Sequence, residues 1–163
     1  MMKRSHAAVL GALAGLSATV VMTEVMSRMH RRLPPSDRYA LPPRELTQRC
    51  WPGGHCLGEE QLQIRSLTAH FGYGALAGAV MALVWPRSDP GRGGVFGVLV
   101  WAVSYLGWAP LTGLLQPATR NPPRRNVLMI TVHVVWGAAT ALARRSLERA
   151  CRGALADTAP FDQ

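Results

Sequence analysis

Four apolar runs without a single Lys or Arg set the limits on what this chain can become: residues 7–27, 66–86, 93–116 and 126–143. A bilayer's hydrocarbon core takes about 20 apolar residues per helix, and these runs have that length. A soluble helix bundle would place charge on its outward face every turn or two. The pattern therefore predicts an all-α fold, a membrane-embedded four-helix bundle with spans at about 7–29, 66–85, 93–115 and 126–143. They form one domain over residues 1–153, with a Pro-rich connection at 30–65 and a disordered tail at 154–163. Mean hydropathy is only +0.08 because charge is segregated between the runs.

Of the 18 basic residues, 17 are Arg, against nine Asp and Glu. They flank the runs, where they anchor to headgroups and attract anionic lipid. Nucleic acid would need a basic face on a folded surface, so it is not an expected partner. Lipid is, and so is a second copy or another membrane protein. The side holding both termini would carry eight Lys and Arg and the other side ten, which leaves the topology open. Lys3 and Arg4 before an apolar stretch also describe a signal peptide. The run continues past Ser17 and Ala18 to Arg28, His30, Arg31 and Arg32, so a retained helix is expected.

Connections follow from Pro and Gly. Leu33-Pro34-Pro35 and Leu41-Pro42-Pro43 force extended chain, and the second pair suits a helix start, giving a short surface helix near 43–50. A turn is expected at Pro52-Gly53-Gly54, a helical lead-in from Glu59 and a tight turn at Asp89-Pro90-Gly91. Pro110 should kink the third span. Cys50 and Cys56 read as loop thiols, with a disulfide or an incomplete metal knuckle as alternatives.

Two hexapeptides echo each other: His70-Phe71-Gly72-Tyr73-Gly74-Ala75 and His133-Val134-Val135-Trp136-Gly137-Ala138. In each, His, the aromatic at i+3 and Gly at i+4 share one helix face. The echo suggests two repeated helix pairs. Gly11 and Gly15 make a GxxxG face for close packing, and Gly74, Gly78, Gly97 and Gly137 are placed the same way.

Polar groups inside spans are the natural place to look for function. At 1.5 Å rise per residue, Glu24 lies about 6 Å inside the boundary at Arg28, His70 about 7–8 Å inside and His133 about 12 Å. Tyr105 and Trp108 fall roughly 12–16 Å inside the same leaflet. The candidate polar cavity is Glu24, His70, Tyr73, Ser104, Tyr105, His133 and Trp136. Glu24 also stands one turn before Arg28, a favourable order for a plain interfacial ion pair. Three functions follow: a scaffold or assembly protein locked by the polar cluster, a small-solute or proton-linked carrier using Glu24 and the two His, or a bis-His haem protein. Haem needs the two rings opposed at equal depth, and the estimated heights differ by about 4–5 Å. No cofactor or metal is expected. No Ser-His-Asp set, HExxH, Walker A or GxGxxG string appears, so no enzyme motif backs a catalytic role.

The first span followed by Leu33-Pro34-Pro35, and His133-Val134-Val135-Trp136 with Arg144-Arg145-Ser146-Leu147, resemble the uncharacterised YagU-like family of bacterial inner-membrane proteins. The resemblance covers the two ends of the chain and implies a multi-span helical protein of the bacterial cytoplasmic membrane. It brings no catalytic residues.

Overall fold

A computed structural model describes residues 3–50, 57–87 and 89–157. Among them every regular element is helical: α1 (Arg4–Arg31), α2 (Pro42–Cys50), α3 (Glu59–Val84), α4 (Pro90–Ala102), α5 (Ala109–Leu111) and α6 (Pro123–Asp157). A π-helical turn, Val103–Trp108, joins α4 to α5. Four stretches are long and apolar enough to cross a membrane: Arg4–Arg31, Glu59–Val84, Pro90–Leu111 and Pro123–Ala154.

The element ends follow local chemistry. Asp89-Pro90-Gly91 starts a helix where a tight turn is predicted. Asp89 caps α4 by accepting the Arg92 backbone N–H at 3.0 Å, and Pro90 takes the first position. That position tolerates Pro because its N–H would be unsatisfied anyway. The N–H donation holds the Asp89 carboxyl below its ordinary range. The third span bends earlier than Pro110 alone predicts. Gly107 leaves helical geometry (φ −107°, ψ −111°) inside the π turn. Pro110 supplies no N–H and crowds the carbonyl one turn back, so the ladder gives way just before it. The α6 helix reaches Asp157, past the predicted start of the tail at residue 154. The predicted turn at 52–54 and Cys56, the other half of the Cys50–Cys56 pairing, lie outside the described residues.

The helices pack in two pairs joined in the middle. Helix α1 lies on α3, α4 lies on α6, and α1 and α6 meet. Helix α3 also touches α2 but has no comparable contact with α4. Each pair closes on glycine. A Cβ at Gly15 would stand 2.9 Å from Gly78 Cα and would also strike the Gly74 carbonyl. A Cβ at Gly137 would stand 3.0 Å from Gly97 N and 2.8 Å from Gly93 C. Both seams are backbone against backbone. Gly93, not anticipated as a packing residue, faces Gly137 and Ala141 from the first turn of α4.

Two arginines tie α6 to the connections. Arg125 donates to the carbonyls of Asp37, Tyr39 and Ala40 at 3.0–3.1 Å and lies over the Tyr39 ring. Arg144 donates to the carbonyls of Trp85 and Pro86, at the end of α3, and pairs with Glu148. Both side chains satisfy backbone acceptors that helix ends and loops leave open.

The seams yield a direct test. Gly15→Leu should destabilise the protein by about 1–3 kcal/mol, the usual cost of overpacking. Gly72→Leu, where the new side chain meets open space, should stay within about 0.5 kcal/mol. Unfolding in mixed micelles, followed by helical circular dichroism, compares the two.

Candidate functional site

Because α3 and α4 are not packed together, a cleft remains between them, floored by α1 and α6. It holds a cavity of about 370 Å³, within the range of small-molecule sites. Helix α2 closes one end through Pro42, Pro43, Leu46 and Thr47. The walls are mostly apolar, with Met22, Met26, Ala77, Val100, Leu115 and Met129 among them.

Six of the seven predicted polar-cavity residues line this one space: His70, Tyr73, Ser104, Tyr105, His133 and Trp136. The seventh does not. Glu24 is 56% exposed and accepts from Arg28 Nε at 2.5 Å. It sits nine residues beyond Gly15, half a turn round α1 from the glycine seam, so it points away from the bundle. The cavity lining contains no Asp or Glu. Among the described residues no group of three or more His, Cys, Asp or Glu is arranged to hold a metal ion.

The hexapeptide echo now has a spatial meaning. Gly74 and Gly137 each enter a seam, while the His and the aromatic of each string face the cavity. One helical spacing thus serves closure of a pair and supply of a polar group together.

All but one of these polar groups have a definite partner. Trp136 is 2% exposed, and its indole Nε1 donates to Gly15 O and to Thr19 Oγ1, both at 3.2 Å. It therefore locks α6 to α1. The hydroxyls of Tyr73 and Ser104 meet at 2.9 Å and bridge the cleft between α3 and the π turn. Tyr105 donates to Met129 Sδ at 3.4 Å, stacks on Trp101 and meets the His133 ring edge-on. His133 Nδ1 bonds the Met129 carbonyl at 2.7 Å. His70 is about half-buried, and its Nε2 has no hydrogen-bond partner.

A second, more polar cavity of about 570 Å³ adjoins the first, lined by Tyr39, Glu45, Gln48, Arg49 and Asn121. Pro42, Tyr105 and Leu115 line both and form the partition. Arg44 pairs with Glu59 at 2.5 Å, tying α2 to the start of α3. That ion pair holds the Arg44 guanidinium above its ordinary pKa.

Sequence reasoning missed the cap made by α2 and the methionines that pad the walls. The signal for α2 was present, since Pro42, Leu46 and Thr47 recur near helical spacing in a polar segment. Met22, Met26 and Met129 look like ordinary span residues until the helices are placed. No family model, curated protein or solved structure matches this chain.

The indole lock gives the second prediction. Trp136→Phe keeps the ring in place but removes both hydrogen bonds, and should cost about 1 kcal/mol in the micelle unfolding assay. A cost indistinguishable from zero would show that the bonds do not hold α6 to α1.

Proposed function

We propose that this chain is a multi-pass protein of a bacterial cytoplasmic membrane that binds a small, mainly apolar molecule between α3 and α4. The membrane setting is supported by the outward faces of the long helices, where Val9, Leu13, Leu76, Val84, Leu99 and Leu142 are exposed. Water would penalise such a surface and lipid would not. Arg125 and Arg144 lie 19 residues apart on α6, about 28 Å at helical rise. That separation matches the roughly 30 Å hydrocarbon thickness, and their exposed neighbours Arg124 and Arg145 stand where headgroups can receive them. The resemblance to the YagU-like family agrees with this setting.

The observation that carries the binding reading is the convergence of His70 and His133 on one mostly apolar cavity beside a helix pair that does not close. A membrane-soluble molecule could reach it sideways, between α3 and α4, without crossing water. The reading departs from a proton-linked carrier at one point. Glu24 is on the outside, so no carboxylate accompanies the two imidazoles.

A scaffold is the second reading, and the Trp136 lock favours it. Part of the polar cluster serves helix–helix attachment, as a protein that only holds partners together would require. In either reading the arginine-rich connections meet anionic headgroups.

Native mass spectrometry of protein released from detergent separates the two. Wild type should retain a small molecule of defined mass. Ala77→Phe, which pushes a ring into the cavity, should reduce the bound fraction at least about fivefold at unchanged helicity. Identical ligand-free spectra for both proteins would contradict the binding reading and leave the scaffold.

A further inference from the structure

We infer that the molecule this cavity takes is an uncharged amphiphile whose polar end is a hydroxyl, held between the ring nitrogens of His133 and His70. The inference rests on the ligand-binding reading above and deepens it.

It follows from counting which polar atoms are already used. The Trp136 indole is spent on Gly15 O and Thr19 Oγ1. The hydroxyls of Tyr73 and Ser104 bond each other, which uses one of their two protons and leaves one to meet a ligand oxygen, and Tyr105 gives its proton to Met129 Sδ. Met129 O is a carbonyl and can only accept, so His133 Nδ1 must carry the ring proton that bonds it. The neutral ring then keeps a lone pair on Nε2. His133 is only 7% exposed, yet it lines the cavity. His70 lines it too, with a buried Nε2 that has no partner. Buried polar atoms are normally hydrogen-bonded, and two unspent ring nitrogens in one apolar space mark a place for a ligand's polar end.

The chemistry of that end is constrained. His133 Nε2 needs a donor. His70 Nε2 can donate or accept according to its tautomer. A hydroxyl meets both demands, donating to His133 and accepting from His70. An ether or ester oxygen brings no donor. An ammonium would be buried with no carboxylate in the lining, a costly arrangement away from water. A carboxylate would face the His133 lone pair with its own, and the one guanidinium in the lining, Arg65, is already engaged elsewhere. The remainder of the molecule lies against Met22, Met26, Ala77 and Val100, which favours a hydrocarbon body over a sugar or a peptide.

Trp108 and Trp136 line the same cavity, so bromine-bearing probes that quench tryptophan on contact report occupancy. Wild-type protein in nanodiscs is titrated with 12-bromododecan-1-ol, with its methyl ether and with 12-bromododecanoic acid. The alcohol should half-saturate at a concentration roughly five- to tenfold below the ether, the worth of one neutral hydrogen bond. His133→Leu should bring the two within about twofold while leaving the ether's own titration in place. His133→Asn, which keeps a polar end, serves where the Leu variant does not fold. Equal binding of alcohol and ether by wild type would overturn the hydroxyl assignment and leave the cavity reading standing. Tightest binding of the acid would overturn it in favour of an anion site. Absence of saturable quenching by all three would bring down the ligand-binding reading itself.

Discussion

Backbone lying directly on backbone at the glycine seams is the contact from which the rest of this structure follows. Gly11 and Gly15 on α1 meet Gly74 and Gly78 on α3, and Gly93 and Gly97 on α4 meet Gly137 on α6. In the proposed membrane setting the hydrophobic effect gives helices little reason to associate, because lipid tails are as apolar as Leu. Close van der Waals contact over small residues and a few interhelical hydrogen bonds must do it instead. The seams fix α1 with α3 and α4 with α6, and the Trp136 indole then ties the two pairs through α1. Nothing comparable joins α3 to α4. The cleft is a consequence of where the glycines are.

That geometry explains why polar groups sit where they do. An imidazole facing acyl chains would be costly, whereas one facing the gap between two closed pairs can be satisfied by whatever occupies it. In each echoed string the Gly enters a seam, while the aromatic one residue back and the His four residues back come round toward the cleft. The arginines do complementary work at two points of α6, its first turn and a position 19 residues further along. Arg125 gathers the carbonyls of the 37–40 segment and thereby holds the chain that leads into α2. Arg144 closes the end of α3. Both use the planar guanidinium's several donors on backbone acceptors, a task one ammonium would perform less completely.

Much of this was legible in the residues. The absence of Lys and Arg from four runs gave the four long apolar stretches and the all-α class, because 20-residue apolar spacing has few other uses. The convergence of His70, Tyr73, Ser104, Tyr105, His133 and Trp136 followed from depth alone, since helical rise is nearly constant. Depth says nothing of rotation about the helix axis: Glu24 shares their leaflet, but nine residues from Gly15 put it on the opposite side of α1, where it points outward to Arg28. The bend before Pro110 was legible as an event but not as a π turn at Gly107, since Pro disturbs the ladder over a full turn and the local residues decide where it yields. The cap made by α2 was hidden for a different reason. A nine-residue amphipathic helix identifies its own faces but not the element it will lie on.

The pairing scheme is tested most directly by cysteine cross-linking in lipid, in a background with Cys50, Cys56 and Cys151 replaced by Ser. Thr19 and Gly74 face each other across the first seam, with a Cβ at Gly74 standing 3.3 Å from the Thr19 Cβ, and Ala77 and Val100 stand on opposite walls of the cavity. Oxidation should join Thr19→Cys to Gly74→Cys readily. Ala77→Cys and Val100→Cys should react only with a spanning bis-maleimide. Fast disulfide formation between positions 77 and 100, with none between 19 and 74, would contradict the pairing and the cleft together.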